Sequence, residues 1–350
     1  MRQYPPWQLP AVSVAVLSHR RRGALKRVLK KISRLDYPDF EVVVVGDQQD
    51  LSAYDLPEWI AAQIRYRRFE EPGICRARNH AIRAAAGEIV AFIDDDALPE
   101  RNWLTELVKP FEDPMVATAG GMVLNGDGSG IEWFGGEFDL TARESPLKSV
   151  PERIVRSASE QVEPCRYLSI RGVNCAFRRP AVLQAGGFDE AIRYYLDETD
   201  LALRLAQAGW STALTRRAEV RHRKLPNAAR GRGGKPGSPY EIAASMAFFV
   251  NRYAGGNTPG ILREFRNRRI AMLDPKMRLG IVRTADRNRI ARELDAGIAD
   301  GLARTSLTPL KPEEPVEPFA RFDRTLSPAS IGIAAPHVAV MPAQRLRSGV

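Results

Sequence analysis

The chain has 350 residues, 44% of them hydrophobic, which is enough for one large α/β domain with a sizeable core and an appendage. Its net charge of +10 indicates an anionic partner such as a nucleotide, a lipid headgroup or a nucleic acid, or else only a basic soluble surface. The three cysteines have neither zinc spacing nor a disulfide framework, no secretory signal opens the sequence, and the longest uncharged apolar run, 242–250, is too short to span a bilayer. We therefore expect a cytoplasmic protein whose membrane contact, if any, is peripheral.

The first hundred residues alternate between two apolar patterns. Runs rich in β-branched residues predict buried strands at 12–17, 40–45, 64–69 and 89–93. Apolar residues at helical spacing follow Leu25, Gly73 and Pro99, and they predict a helix after each of these positions. Because strands that alternate with helices form βαβ units, we expect an α/β fold with a Rossmann-like, mostly parallel sheet and flanking helices.

The pattern changes after about residue 115, and residues 125–165 are rich in turn formers. Further strands are predicted at 116–119, 171–179, 212–214 and 218–220, and further helices around Leu201, at 240–253 and at 283–304. Glycine and proline concentrated after Pro226 predict a mobile loop. The predicted organisation is a domain at 11–225, a mobile loop at 226–239, a helical C-terminal extension at 240–305 and an irregular tail at 306–350.

Three carboxylates, Asp94, Asp95 and Asp96, follow directly after the apolar strand 89–93. Ligands of open α/β sheets bind at the carboxyl ends of the strands. Adjacent carboxylates repel one another, and a hard cation such as Mg²⁺ or Mn²⁺ neutralises them best while bridging to a phosphate. The run therefore predicts a metal–diphosphate site, and the alternative is a solvated acidic turn that caps the next helix.

The order and spacing of several motifs resemble glycosyltransferase family 2. The motifs are the strand and loop 13–21, the strand ending 46–47, Gly-x-x-x-Ala-Arg-Asn at 73–79, Asp-Asp-Asp at 94–96, Gly-Gly-Phe-Asp-Glu at 186–190 and Asp-Glu-Thr-Asp-Leu at 197–201. The first two depart from the family pattern, since Gly46 replaces an aspartate and Arg20 an asparagine. The resemblance covers about residues 11–225 and implies the GT-A fold and an inverting transfer of sugar from a nucleoside-diphosphate sugar.

The resemblance also implies roles at the donor and metal sites. Asp96 corresponds to the ligand of Mn²⁺ or Mg²⁺, Asp94 and Asp95 face the ribose and the surroundings of the metal, and His222 completes the metal shell. A lone histidine is also often structural.

Four further residues correspond to positions that bind the nucleotide sugar. Asp47 would read the nucleobase, Arg76 and Arg78 would offset phosphate charge, and Asn79 would brace the nucleotide loop. The alternatives are a turn residue for Asp47 and a surface charge for one of the arginines.

The acidic motif at 197–201 corresponds to the catalytic base. The family usually places an aspartate at the position of Glu198, and here Asp197 and Glu198 stand in inverted order, so either could be the base. Asp200, Asn174 and Trp133 are candidate acceptor residues. The alternative is a helix N-terminus whose acids favour the helix dipole.

We therefore expect an inverting, metal-dependent glycosyltransferase in bacterial polysaccharide or glycolipid assembly at the inner face of the membrane. Its partners would be a nucleoside-diphosphate sugar and a saccharide or lipid-linked saccharide, with room for peripheral contact with an anionic membrane. The alternatives are a non-catalytic nucleotide-sugar binder or scaffold of the same fold and a nucleotidyltransferase. No recognised module favours nucleic-acid binding.

Overall fold

The computed structural model describes residues 9–71, 73–149, 151–231, 236–306, 309–311 and 317–326. The predicted loop residues 232–235 and the tail residues 327–350 lie outside this part of the chain.

The described residues form thirteen strands and eleven α-helices. The strands are β1 (Val12–Ser18), β2 (Phe40–Gly46), β3 (Ile64–Arg68), β4 (Ile89–Asp94), β5 (Ala97–Pro99), β6 (Val116–Asn125), β7 (Ile131–Trp133), β8 (Gly136–Phe138), β9 (Glu144–Pro146), β10 (Arg153–Arg156), β11 (Tyr167–Ser169), β12 (Asn174–Arg178) and β13 (Ser211–His222). The helices are α1 (Arg22–Ile32), α2 (Glu58–Ala61), α3 (Ile74–Ala84), α4 (Trp103–Val108), α5 (Ala158–Val162), α6 (Arg179–Gln184), α7 (Asp197–Gln207), α8 (Tyr240–Tyr253), α9 (Thr258–Ala271), α10 (Asp274–Arg278) and α11 (Thr284–Ala303).

The main sheet is mixed, with helices on both faces and the strand order β10-β13-β6-β12-β4-β1-β2-β3. Strands β3, β2, β1 and β4 pair in parallel with one another, as the βαβ pattern predicts. In the other half β6 and β13 are also parallel, but β12 is antiparallel to both β4 and β6 and β10 to β13, so the sheet as a whole is mixed. The carboxyl ends of β1, β2 and β4 meet at one edge, which is where an open α/β sheet binds ligands.

Two local predictions differ from the structure. Pro99 ends β5 instead of opening a helix, because Ala97–Pro99 pairs with β13 and the helix begins only at Trp103. The two short strands predicted near 212 and 220 are one strand, β13, with a register shift between Thr215 and Glu219 that breaks the alternating pattern.

The register shift in β13 is accommodated by the buried side chain of Asn174. Its Nδ2 donates to the carbonyl oxygens of Met122 (2.9 Å) and Ala218 (2.8 Å), and its Oδ1 accepts from Trp103 Nε1 at 2.8 Å. A Cβ at Gly121 would lie 2.3 Å from Ala218 O, so only glycine fits opposite this carbonyl. The asparagine thus satisfies polar groups that the shifted ladder leaves unpaired.

The C-terminal helices α8, α9 and α11 pack around an apolar core that they share with α7, β8 and β11. Helix α8 matches its prediction, whereas α9 was not predicted although Asn257 caps it and Pro259 opens it. Helix α11 approaches α8 closely, since a Cβ at Gly301 would lie 2.1 Å from Ala244 O. No helix in the described part of the chain has the length and hydropathy to cross a bilayer.

Part of the predicted irregular tail packs against the start of β2. Phe322 stacks on Phe40 with ring centroids 5.3 Å apart, and its N–H donates to Phe40 O at 2.7 Å. The N–H of Ala320 donates to the buried carboxylate of Glu41 at 3.0 Å. Residues 317–326, which we refer to as the C-terminal clasp, therefore complete the surface of the first strands.

Replacing Asn174 tests its structural role. Asn174→Ala leaves the Trp103 Nε1–H and two carbonyls without their partners, so we expect the free energy of unfolding to fall by about 2–4 kcal/mol. Asn125→Ala removes only an exposed bond to Ser129 and serves as the control. Urea denaturation measures both variants, and equal stability of Asn174→Ala and the unsubstituted protein would contradict the assignment.

Candidate active site

The carboxylates after β4 are held by side chains from β1 and the loop that follows it. Ser18, the last residue of β1, donates its hydroxyl to Asp95 at 2.8 Å. The guanidinium of Arg21 lies 3.0 Å from an oxygen of Asp95 and 3.2 Å from one of Asp96. One arginine therefore offsets the repulsion between two adjacent acids.

Asp94, Asp96 and His222 form a cluster that could hold a metal ion. One candidate ligand atom from each residue lies within 4.8 Å of the other two. The pairing of β5 with the end of β13, Ala97 opposite His222, brings the histidine to the end of β4. Two carboxylates and an imidazole are a donor set that suits Mn²⁺.

A buried carboxylate oxygen supports this reading of the cluster. Asp96 Oδ1 has no hydrogen-bond partner among the described residues. It lies 3.4 Å from His222 Nε2, close enough for an ion pair but outside hydrogen-bond geometry. A buried carboxylate oxygen without a hydrogen-bond partner is energetically costly. A bound metal ion would provide the missing partner.

The pKa values in the cluster follow from burial and neighbouring charge. Burial raises the pKa of Asp95 to about 6, against the opposing effect of Arg21. Burial also disfavours the charge of Asp96, but contact with His222 outweighs it and lowers the pKa of Asp96. Burial would lower the pKa of His222, yet Asp96 and Glu132 outweigh it and raise that pKa to about 9.

Glu132 on β7 orients His222 and was not predicted from the sequence. Its carboxylate lies 3.1 Å from His222 Nδ1, on the side of the ring opposite the one that faces Asp96. Lys224 Nζ lies 3.3 Å from the same carboxylate. A carboxylate on Nδ1 fixes the tautomer of a metal-binding histidine and leaves Nε2 for the metal. No local motif around Glu132 signals this contact.

Two arginines in this region were also missed. Arg21 Nη2 donates to the carbonyls of Leu225 (3.1 Å) and Pro226 (2.9 Å), and so ties the loop after β13 to the strand ends. Arg230 lies 3.3 Å from His222 Nε2 and 3.9 Å from Asp96 Oδ2. The only sequence signal was the basic character of both loops.

A cleft of about 260 Å³ opens beside the metal cluster. Its lining combines the metal candidates Asp94 and His222 with Arg78, Asp197 and Glu198. Five residues that were predicted separately along the sequence therefore share one cavity.

Glu198 and Asp197 occupy different environments at the start of α7. Asp197 is buried and lies 2.9 Å from Arg78 Nε in an ion pair whose angle is outside hydrogen-bond geometry. Glu198 is only partly buried and lines the cleft. Burial and the neighbouring charge of Asp197 raise the pKa of Glu198. Tyr195 and Leu196, immediately before the helix, have left-handed backbone angles (φ 75° and 66°), so the turn that presents the pair is strained.

Arg78 is buried and anchors this end of the cleft. Its guanidinium donates to Gly172 O at 3.2 Å and lies 4.8 Å from the ring centre of Phe92 and 5.3 Å from that of Phe188. The positive charge of Arg78, which was predicted to offset the charge of a phosphate, is thus already paired with Asp197.

The other predicted nucleotide residues lie outside the lining of this cleft. Asp47, at the end of β2, accepts from the backbone N–H of Arg20 at 3.1 Å and lies 3.8 Å from His19 Nδ1. Asn79 exchanges hydrogen bonds with the backbone of Phe188, which joins two motifs. Arg76 is part-exposed and paired with acids at its own end of α3.

The three predicted acceptor residues are separated from one another. Asn174 is inside the sheet, as described above, and Asp200 is fully buried with Tyr253 and Arg204 as partners. Trp133 lies beside the cleft, where its Nε1 donates to Glu144 and the guanidinium of Arg171 stacks 5.0 Å from its ring centre.

Comparison with known proteins identifies the fold family. Residues 13–183 match the family model described as glycosyl transferase family 2. This segment belongs to glycosyl transferase family 2. It contains the acids after β4, whereas Asp197, Glu198 and His222 lie beyond it.

Relatives of the glycosyltransferase domain include the pre-mycofactocin glycosyltransferase of Mycobacterium tuberculosis, 27% identical over 206 residues that cover 57% of this chain and 39% of that protein. The chain therefore spans about two fifths of the length of this relative.

Solved structures show that the domain has the GT-A fold. The mannosyltransferase PcManGT of Pyrobaculum calidifontis, in complex with GDP-Man and Mn²⁺, has a TM-score of 0.50 at 18% identity, covering 85% of this chain and 88% of that one. TarS 1–349 of S. aureus, in complex with UDP-GlcNAc, has a TM-score of 0.52 at 18% identity, covering 83% and 81%.

The contact between Glu132 and His222 makes a testable prediction for the glycosyltransferase domain. Glu132→Ala should weaken Mn²⁺ binding about 10–100-fold, because the imidazole loses the partner that fixes its orientation. Electron paramagnetic resonance of free Mn²⁺ measures the affinity, and Glu163→Gln, an exposed acid, is the control. Unchanged Mn²⁺ affinity in Glu132→Ala would show that Glu132 does not support the site.

Proposed function

We propose that this protein transfers a sugar from a nucleoside-diphosphate sugar to a hydroxyl group, with inversion at the anomeric carbon and with a divalent metal. The observation that carries the proposal is the shared cleft, in which the candidate metal ligands Asp94 and His222 and the candidate base Glu198 face one cavity. An inverting transfer needs a cation at the leaving diphosphate and a base at the acceptor hydroxyl, on opposite sides of the transferred sugar.

Asp94, Asp96 and His222 would hold Mn²⁺ or Mg²⁺. The fit rests on the donor set and on the buried oxygen of Asp96 that has no hydrogen-bond partner among the described residues. When bound, the ion supplies Lewis-acid stabilisation of the charge on the leaving diphosphate. Arg230, which also lines the cleft, adds a second positive charge there.

Glu198 would accept the proton of the acceptor hydroxyl. The acceptor oxygen forms its bond to the anomeric carbon as the bond to the diphosphate oxygen breaks, the nucleoside diphosphate leaves, and the proton stays on the Glu198 carboxylate. The ion pair of Asp197 with Arg78 supports Glu198 as the base of the two candidates. The raised pKa of Glu198 makes it a stronger base than an ordinary glutamate.

The donor would lie along the ends of β1, β2 and β4. Asp47 would accept from a nucleobase N–H. Burial acts to raise the pKa of Asp47, but its hydrogen bonds, with that from Arg20 N–H the largest, outweigh burial and lower it, so the carboxylate is ionised at neutral pH. The complexes of PcManGT with GDP-Man and of TarS with UDP-GlcNAc support a nucleotide-sugar donor. A saccharide or lipid-linked saccharide acceptor, in bacterial polysaccharide or glycolipid assembly, completes the proposal.

Replacing the candidate base separates binding from transfer. Glu198→Gln should keep the affinity for a nucleoside diphosphate with Mn²⁺, measured by calorimetry, and should lower the transfer rate by about 10²–10⁴-fold. Glu163→Gln again serves as the control. Transfer at the normal rate by Glu198→Gln would rule out this base, and nucleotide binding without transfer by the unsubstituted protein would favour a scaffold.

The pH dependence of transfer should report the same carboxylate. Because Glu198 must be ionised to accept a proton and its pKa is raised, kcat should fall as the pH drops through a pKa well above the usual glutamate value of about 4.3. Asp197→Asn removes the neighbouring negative charge and leaves Arg78 unpaired, and both changes favour the ionised form of Glu198. The inflection in kcat should therefore move to lower pH in Asp197→Asn, and an unmoved or raised inflection would contradict the assignment.

A further inference from the structure

The end of α9, α10 and the turn before α11 carry an unusual surface. Met272 and Leu279 are 64% and 75% exposed, which makes them the two most exposed large apolar side chains of the described residues. Ile281, 36% exposed, lies two residues further on. Single exposed apolar side chains are common on protein surfaces. Three within ten residues are less common and indicate an interaction surface. We refer to residues 263–287 as the basic–apolar surface.

The charge of this surface is strongly positive. Residues 263–287 contain eight basic and three acidic side chains, so half of the net charge of +10 lies in 25 of the 350 residues. Arg278 and Arg283 are exposed and flank Leu279 and Ile281, and no ion pair joins either arginine to an acid among the described residues. Apolar side chains between unpaired arginines are complementary to the interface of an anionic bilayer, where the former enter the acyl boundary and the latter meet headgroups.

The first part of the basic–apolar surface contacts residues in or next to the lining of the cleft. The guanidinium of Arg269 lies 5.8 Å from the ring centre of Tyr195, which lines the cleft just before α7. Arg143, next to the cleft residue Ala142, forms a 2.5 Å ion pair with Glu264 on α9. A bilayer that contacts this surface therefore lies next to the part of the cleft lining that contains Ala142 and Tyr195.

We infer that residues 263–287 dock the protein on an anionic lipid bilayer, with Met272, Leu279 and Ile281 inserted at the interface and Arg278 and Arg283 on lipid phosphates. Docking on the bilayer does not depend on the proposed transferase activity. Its consequence for the acceptor, that a lipid-linked saccharide enters the cleft from the bilayer, rests on the proposed function.

Vesicle flotation tests the docking surface directly. The protein should float with vesicles of 70% phosphatidylcholine and 30% phosphatidylglycerol at low salt and should stay behind with pure phosphatidylcholine. Met272→Ser with Leu279→Ser, and separately Arg278→Glu with Arg283→Glu, should each weaken partitioning at least tenfold, since each arginine near an anionic surface contributes about a further fivefold. Matched pairs on other surfaces, Met115→Ser with Leu302→Ser and Arg34→Glu with Arg216→Glu, should float like the unsubstituted protein.

A fluorescent probe locates the contact. With Cys165 replaced by serine, a nitrobenzoxadiazole label on Leu279→Cys should shift its emission to shorter wavelength on the anionic vesicles, and the same label on Met115→Cys should not. Equal flotation of all variants, binding to pure phosphatidylcholine alone, self-association through this surface, or retention on nucleic acid without flotation would each overturn the inference. Because neither assay needs transfer, vesicle binding by a protein that transfers no sugar would leave the docking surface standing while the proposed function fails.

Discussion

The site depends on how three adjacent carboxylates are kept charged at the end of a buried strand. Asp94, Asp95 and Asp96 repel one another, and removal from water raises the cost of each charge. Groups from different elements of the fold stabilise these charges. They are Arg21 after β1, His222 at the end of β13, and the backbone N–H of Leu225, which donates to Asp96 at 2.8 Å. The arrangement of the strands therefore brings the side chains of Arg21 and His222 next to the three acids.

A buried ion pair, Arg78 with Asp197, joins two elements that line the cleft. Arg78 comes from α3, the helix that leads into β4, while its partner Asp197 begins α7. Both acids line the cleft, but Asp197 is ion-paired with Arg78, whereas Glu198 is only partly buried. Asp200, on the inner side of the same helix, accepts from Tyr253 of α8 at 2.7 Å, so the C-terminal helices are coupled to the helix that presents the candidate base.

Local patterns predicted what is encoded locally. The strands at the start of the sheet, helix α8 and the acids at 94–96 and 197–198 each stand out in a short window of sequence. Glu132, by contrast, meets His222 across 90 residues, and Arg21 meets Asp95 across 74, so nothing near either residue marks its role. Asn174, in the predicted strand 171–179, was expected to contact the acceptor, but the structure buries its side chain inside the sheet, where it binds Met122, Ala218 and Trp103. The position of such a side chain depends on how strands distant in sequence pair with one another. The periodicity of the sequence does not predict this pairing.

The C-terminal clasp bears on the order in which the protein can fold. Glu41 lies in the second strand of the sheet, fully buried, and its carboxylate accepts from Ser13, from Ala86 N and from Ala320 N. The last of these contacts spans 279 residues, so it forms only after residue 320 has been synthesised. Until then the ring of Phe40 lacks its stacking partner. Closing so long a loop is slow relative to local contacts, so β2 is synthesised before most strands of the sheet and is among the last of them to be fully covered.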